Sequence, residues 1–436
     1  MADSIFNARF ETMNMKELQI LQFERLQSTL NRVYYNVEYY KNIFDKLNFL
    51  PEKLKSLDDL KKIPFTCKND LKNAYPYKMF AVPLRDIVQI HSSTGTTGKP
   101  IIVGYTKNDI KHWAELNARS LAAAGVNEDD LIQISFHYGL TTGGFGLHLG
   151  AEKIGASIVP ASTGQTQKQI DIMIDYKTTV FSCSPSYALY IAENLERLKI
   201  NKNNLHLRIG LFGSEPWSER IRESIESGLN IEAFDIYGLT EIMGPGVSFE
   251  CGCKNGLHIN EDHFIVELIN PNTLESASKG EAGELVFTTI AKEGFPLIRY
   301  RTGDIAFLIE EKCECGRTFK RMSRVLGRTD DMIIIKGIKI FPSQIEKILI
   351  QENDMLAHYQ IFLKREKMAL DEMEIKVEVS EQMFNDDIGS LDILRKNLER
   401  KLHSETGISC KISLVEANSL ERTSGKTKRV VDMREL

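Results

Sequence analysis

The sequence predicts an α/β fold: a large N-terminal domain of mixed, mainly parallel sheets with added antiparallel strands, then a small α+β C-terminal domain. Three observations carry this. The chain has 436 residues, too many for one ordinary core. From residue 86 onward, apolar β-branched runs alternate with segments of helical period, the rhythm of a parallel sheet covered by helices. After residue 255 that rhythm gives way to strands joined by turns, and after residue 328 a further small α/β unit begins.

The first element is helical. In "MKELQILQFERLQSTLNRVYYNVEYYKNIFDKL", Leu18, Leu21, Leu26, Leu30 and Val33 recur at the spacing of one helix face, and the neighbouring tyrosines are packing residues. Then comes "HSSTGTTGKP", His91 to Pro100. A P-loop needs Gly five residues before the Gly-Lys pair and Ser or Thr after it; these positions hold Ser93 and Pro100. A P-loop also leads into a helix, whereas this loop leads into "IIVGYT", a strand. Thr106 is the expected N-cap of the next helix, with Asp109 in its first turn and Ile110, Trp113, Asn117 and Leu121 along it. The loop still suits a polyphosphate: Gly95 and Gly98 free backbone N–H groups, Thr94, Thr96 and Thr97 bring hydroxyls, and Lys99 brings an ammonium. "LIQISF", "SIVPAS", "TTVFSCS" and "LRIGLFGS" are strands, separated by helices such as "QTQKQIDIMIDYK" and "PSYALYIAENLERLKI". "HFIVELI", "GELVFTTI" and "PLIRYRTGDIAFLI" are the antiparallel strands. "MIIIKGIKIFP", helix "SQIEKILIQE", strands "HYQIFLKRE" and "EMEIKVEVS", a charged helix and strand "SCKISLVE" make the last unit.

Composition excludes several function classes. A net charge of −5 argues against a nucleic-acid binder that relies on bulk electrostatics. No apolar stretch reaches transmembrane length, and "MADSIFNARFETMN" lacks the basic start and apolar core of a signal peptide, so a cytoplasmic protein is expected. Seven cysteines are too few and too uneven for a disulfide framework.

Four of the seven stand as two Cys-x-Cys pairs, Cys251/Cys253 and Cys313/Cys315. With His258 they offer five donors from separated knuckle-like segments, which is a structural zinc arrangement. The favoured set is Cys251, His258, Cys313 and Cys315, with Cys253 as the alternate; a redox-active dithiol is the rival reading, though neither pair has Cys-x-x-Cys spacing.

Other polar residues sit in turns. "FDIYGLTEIMG" carries Tyr237, a flat face for a purine, and Thr240 with Glu241, a hard oxygen ligand for magnesium. "YRTGD" carries Asp304, a carboxylate able to accept both hydroxyls of a ribose. "GRTDD" adds Arg328 and Asp330, and "RTSGKTKR" adds Lys426. In their order along the chain, "SSTGTTGKP", "YGLTE", "YRTGD", "GRTDDMIIIKGIKIFP" and "RTSGKTKR" resemble the acyl-adenylate-forming enzymes: acyl-CoA synthetases, adenylation domains and luciferases. "FGSEPWS", "GIKIFPSQIE" and "YYNVEYYK" look most like the phenylacetate–coenzyme A ligases among them.

The resemblance implies an N-terminal ATP- and acid-binding domain over 1–327 and a mobile C-terminal domain over 328–436, hinged at Asp330. It implies that Ser92, Ser93 and the loop through Lys99 cradle the β- and γ-phosphates. Thr240 and Glu241 then fix the α-phosphate and magnesium. Gly213, Ser214, Glu215, Pro216, Asp235, Ile236, Tyr237 and Gly238 line the adenine; Asp304 holds the ribose with Arg328 nearby. Lys426 bridges carboxylate and α-phosphate during adenylation. For the acid, "FHYGLTTGGFGLHLG" offers Tyr138, Gly139 and Phe145, Ile236 lies beside the adenine turn, and aromatic walls with small residues suit a flat ring. His137 receives no catalytic role, since a carboxylate is already ionised at neutral pH and needs no base.

The expected function is ATP-dependent ligation of an arylacetic acid, phenylacetate or an analogue such as indoleacetate, to coenzyme A, a step of phenylacetate catabolism. The alternative is an adenylyltransferase of the same fold acting on a deazaflavin coenzyme without thioester formation. A non-catalytic nucleotide-binding module is disfavoured by the presence of Glu241, Asp304 and Lys426. The expected cofactors are ATP, magnesium, coenzyme A and structural zinc. The expected partners are small molecules, with no nucleic acid and no membrane; a homodimer is compatible with the sequence.

Overall fold

The computed structural model describes all residues except 1–4, 94–98, 330, 336–337, 352–354, 365–370, 381–382, 385–387, 418, 421–428 and 435–436. The described chain divides into two compact units, one of Met1–Ser214 with Ile225–Arg324, the other of Glu215–Ser224 with Val325–Leu436.

The first unit opens with α1 (Ala8–Glu11), α2 (Met15–Asn36) and α3 (Glu38–Lys46). The long helical stretch read from the sequence is broken at Val37, whose φ of −121° and ψ of 105° are extended. Val37 is itself buried, so packing overrides local period there. A short helix α4 (Lys68–Asn73) comes next. After it, β1 (Ile87–Ser92) and β2 (Ile102–Thr106) form an antiparallel ribbon, with Ser92 opposite Ile102. Helix α5 (Lys107–Ala123) starts at Thr106 with a reciprocal cap: Asp109 N–H donates to Thr106 Oγ1 at 3.1 Å, and Thr106 N–H to Asp109 Oδ2 at 2.9 Å.

The main sheet is built from β3 (Leu131–Ile134), β4 (Ser157–Val159), β5 (Val180–Cys183), β6 (Ile209–Gly213) and β7 (Glu232–Tyr237), all parallel, in the order β7-β6-β5-β3-β4. Helices α6 (Gly143–Ile154), α7 (Thr166–Asp175) and α8 (Pro185–Arg197) are the crossovers that link β3, β4, β5 and β6 in turn. Ile132, Ile134, Val180, Ile209, Leu211 and Phe234 form the core with Leu121 and Leu147 from the helices, each side chain worth about 1.5–3 kcal/mol of burial. Helix α6 approaches α5 closely through Gly150, where a Cβ would lie 2.5 Å from Asn117 Cβ. Beyond β7 the sheet continues antiparallel with β8 (Ser248–Glu250) and β9 (Leu257–Ile259).

A second, antiparallel sheet contains β10 (Phe264–Ile269), β11 (Gly283–Thr289) and β12 (Tyr300–Ala306). Register slips between Glu284 and Val286, a bulge that re-aims the chain near Asp304. Arg301 and the Gly303 N–H both bond the Glu284 carboxylate there, at 2.6 and 3.1 Å. Strands β13 (Leu308–Ile309) and β14 (Arg321–Met322) return to the main sheet beside β9. The fold is thus α/β with parallel and antiparallel strands in mixed sheets.

The second unit is α+β. Met355–Lys364 and Glu372–Val379 pair antiparallel, flanked in parallel by Val430–Asp432 and Lys411–Val415. Pro342–Leu349 and Ile388–Thr406 are its helices, packed on a core including Ile345, Ile361, Ile375 and Leu398.

Candidate active site

In open parallel sheets, ligands bind beyond the carboxyl ends of the strands. Three of the sequence-read stretches leave those ends: "FHYGL" after β3, "GS" after β6, and "YGLTE" after β7. Gly213 is required by close approach, because a Cβ there would lie 2.3 Å from the Ile236 carbonyl oxygen. Ser214 takes the left-handed φ of 77°. A Cβ on Gly238 would lie 2.5 Å from Gly244 Cα.

The Tyr237 hydroxyl donates to Asp304 Oδ2 at 2.7 Å, joining "YGLTE" on β7 to "YRTGD" on β12. Asp235 sits on the same strand; its N–H donates to Glu250 Oε2 at 2.9 Å, and Arg324 Nε lies 3.8 Å from its carboxylate. Ile236 is buried in the sheet core.

Thr240 and Glu241 form a single 3₁₀ turn, Thr240–Ile242. Thr240 Oγ1 lies 3.3 Å from Thr142 Oγ1 at the start of α6. The Glu241 carbonyl accepts from Lys292 Nζ at 3.2 Å. Burial pushes the Lys292 ammonium down to about 8, against the pull of the Asp109 and Glu241 carboxylates.

The phosphate-loop candidate is described only at its base. Ser93 N–H donates to the Ile101 carbonyl at 3.0 Å, and Ile101 N–H to Ser93 Oγ at 3.1 Å, which closes the loop. Ser92 N–H donates to the Leu140 carbonyl at 2.8 Å. Lys99 is exposed, with Nζ 5.3 Å from the Tyr75 ring centre. Thr94, Gly95, Thr96, Thr97 and Gly98 lie outside the described residues, as do Asp330 and Lys426. In the second unit, Arg328 Nε lies 3.8 Å from Asp331 Oδ2.

The acid-pocket candidates form an aromatic wall. Tyr138 and Phe145 meet edge to face at 5.4 Å, and Phe145 meets His91 at 5.2 Å. Behind them Tyr105 stacks on Trp113 at 4.8 Å. The Tyr138 hydroxyl lies 3.2 Å from His148 Nδ1, and burial raises its pKa. A Cβ on Gly139 would lie 2.5 Å from His137 Nε2.

The thiol cluster lies elsewhere, at the antiparallel end of the main sheet. Donor atoms of Cys251, His258, Cys313 and Cys315 all lie within 4.8 Å of one another; Cys253 is exposed. Cys251 and Cys313 sulfurs are 3.7 Å apart, and Cys315 Sγ is 3.3 Å from His258 Nε2. Tetrahedral zinc would have edges of about 3.8 Å between sulfurs and about 3.6 Å from sulfur to nitrogen, so this donor set fits such an ion. The Cys251 thiol's hydrogen bond holds Cys315 well down and drives Cys251 up. Burial pulls His258 down, but its bonds to the Cys313 and Cys315 sulfurs raise it overall. Behind the cluster, Arg317 Nε donates to Glu11 Oε2 at 2.6 Å, both side chains fully buried.

Sequence reasoning did not find Lys292, Thr142 or the His91–Tyr105–Trp113 wall. Lys292 is followed closely by Gly294 and Pro296, a pattern that reads as solvated loop; no local signal marks its burial.

Comparison with known proteins settles the family. The model described as AMP-binding enzyme matches residues 33–291, and that described as AMP-binding enzyme C-terminal domain matches 337–434. A phenylacetate–coenzyme A ligase of Thermus thermophilus is 44% identical over 99% of this chain and 100% of its own. The chain belongs to the phenylacetate–coenzyme A ligase family of acyl-adenylate-forming, AMP-binding enzymes. Another member, from Escherichia coli, is 44% identical over 98% of this chain and 97% of its own. Among solved structures, 2-hydroxyisobutyryl-CoA ligase in the postadenylation state superposes with a TM-score of 0.92 at 27% identity, covering 99% of this chain and 93% of that one. Among the described residues, no helix is long and apolar enough to cross a membrane.

Proposed function

We propose that this protein joins an arylacetic acid, phenylacetate or a close analogue such as indoleacetate, to coenzyme A by way of an acyl-adenylate. The observation that supports the reading is the Tyr237–Asp304 hydrogen bond, which joins the ring read as the purine's neighbour to the carboxylate read as the ribose acceptor. The family relatives named phenylacetate–coenzyme A ligase support the substrate class.

In the first half-reaction a carboxylate oxygen of the acid attacks the α-phosphorus of ATP. The new O–P bond forms as the bond to the β-phosphate oxygen breaks, and pyrophosphate leaves. In the second, the coenzyme A sulfur attacks the acyl carbon, AMP departs with the C–O electron pair, and the thiol proton goes to solvent. Such chemistry asks the protein mainly to position groups and neutralise charge. Ser92 to Lys99 hold the β- and γ-phosphates, Thr240 the α-phosphate, and Asp304 the ribose. Gly213 to Pro216 and Asp235 to Gly238 enclose the adenine. Glu241, a buried carboxylate, is the residue to hold magnesium, which would supply charge neutralisation for the phosphates. Lys426 neutralises charge on the carboxylate and α-phosphate during adenylation. Residues 1–327 and 328–436 act as two domains hinged at Asp330. Cys251, His258, Cys313 and Cys315 hold a structural zinc remote from the chemistry. The setting is cytoplasmic phenylacetate catabolism.

The Tyr138/Phe145 wall favours a flat ring over a straight chain. A panel of acids followed by pyrophosphate release should give higher kcat/KM for arylacetates than for octanoate or longer acids. The opposite order would overturn the pocket assignment, and AMP release independent of coenzyme A would overturn the ligase.

A further inference from the structure

We propose that Lys292 is a positioning residue for adenylation, its buried ammonium holding the Thr240–Glu241 turn through the Glu241 carbonyl. The proposal rests on the ligase reading. Lys292 stands in "IAKEGFP", the loop that leaves β11. The backbone next to it is clamped. Asp109, in the first turn of α5, accepts from the N–H groups of Glu293 at 2.6 Å and Gly294 at 2.8 Å, besides its bond from Thr106. A Cβ on Gly294 would lie 2.6 Å from the Gly104 carbonyl oxygen, so the loop presses directly on β2. The lysine stem therefore starts from a fixed point.

Its head is 4.6 Å from the centre of the Tyr105 ring and 5.3 Å from that of Phe295, and it donates to the Glu241 carbonyl at 3.2 Å. The residue is 2% exposed. An ammonium stripped of water is a costly way to fill space that a methionine would fill with no charge to desolvate. Its surroundings are those of a retained cation: two aromatic faces, and the attraction of the Asp109 and Glu241 carboxylates. What it grips is a turn under constraint. Met243, directly after Thr240–Ile242, takes a left-handed φ of 83°. Ile242 and Gly244 N–H groups both bond back to the Leu239 carbonyl, at 3.2 and 2.8 Å. The Glu241 carbonyl takes the lysine. Without the ammonium, that carbonyl loses a charge-assisted donor and the Glu241 carboxylate loses a neighbouring cation, so the turn is freer to leave the pose that meets the α-phosphate.

The test uses the full chain and three measurements on wild type and Lys292→Met: melting temperature, acid-dependent exchange of pyrophosphate into ATP, and thioester formation from supplied acyl-adenylate. Losing one charge-assisted bond predicts adenylation slower by about 10- to 100-fold. KM for ATP and the thioester step should each stay within about threefold, a split that mere loss of packing does not produce. If Lys292→Met does not fold, Lys292→Gln, which keeps an amide donor without the charge, is read in the same way. Unimpaired adenylation in a folded variant, or equal loss in both half-reactions, would overturn the role given to Lys292. A wild-type protein that exchanges no pyrophosphate with any aryl acid would instead overturn the ligase reading.

Discussion

Tyr237 and Asp304 stand 67 residues apart, yet one hydrogen bond of 2.7 Å joins them. The tyrosine hydroxyl orients the carboxylate. If Asp304 is the ribose acceptor proposed above, Asp304→Ala should lower kcat/KM for ATP about a hundredfold, whereas Tyr237→Phe, which keeps the ring, should cost about tenfold, mostly in KM. Steady-state kinetics with varied ATP check this; equal losses in the two variants would deny the ribose role. A second residue makes a pH prediction. His263 is buried, with Nδ1 3.0 Å from Asp262 Oδ2, and burial pulls its pKa down to about 4 despite that carboxylate. Because the folded value lies below the unfolded one of about 6.5, protons bind preferentially to the unfolded chain as pH drops. Its stabilising contribution is complete above about pH 6.5 and is lost as pH falls through about 4, by an amount on the order of 3 kcal/mol. Urea midpoints measured from pH 8 to 4 should show this decline, and His263→Gln should make it shallower. Residues of both kinds differ in legibility. Asp304 and Glu241 were readable because they sit in ordered short motifs, whereas Lys292 was not, because burial leaves no mark in a seven-residue window.

At the scale of elements, local rules did much of the folding. Thr106 and Asp109 cap α5 as their spacing predicts, and the apolar β-branched runs became the parallel strands. Local rules failed where pairing decides. Val37 breaks a helix that its neighbours would continue, and β8 and β9, three residues each, show no alternation to read and exist through their ladder partners. The cysteine knuckles depend on those short strands: His258 lies on β9, opposite Phe249, while Cys313 and Cys315 come from the turn between β13 and β14. If they close around zinc, the ion ties three segments together and contributes folding free energy. Protein purified without added metal should then contain about one zinc per chain. Chelation or Cys313→Ser should lower the melting temperature before it alters KM for ATP. Elemental analysis showing no zinc would remove the metal from the account.

At the scale of the whole molecule, the proposal of two poses makes Lys426 and Asp330 act in opposite half-reactions. The Lys426 ammonium would offset charge on the carboxylate and α-phosphate only in the adenylating pose, a stabilisation worth about 3–4 kcal/mol when one such donor is lost. Lys426→Ala should therefore slow adenylate formation by roughly a hundredfold or more and leave thioester formation from supplied acyl-adenylate nearly intact. Asp330→Pro should do the reverse, because a fixed φ blocks rotation at the hinge. Both half-reactions need to be assayed on both variants; equal losses in folded Lys426→Ala would mean the two-pose mechanism does not apply. By itself the sequence determined the α/β class, the loop-then-strand order from Ser93 to Thr106, and the family, since all three are written in local periodicity and in the order of short motifs. Only the tertiary structure decided that Tyr237 meets Asp304, that His258 stands among three sulfurs while Cys253 is exposed, and that Lys292 reaches Glu241. Each of these depends on strand register and on which groups are withdrawn from water, and both arise from contacts between segments tens of residues apart.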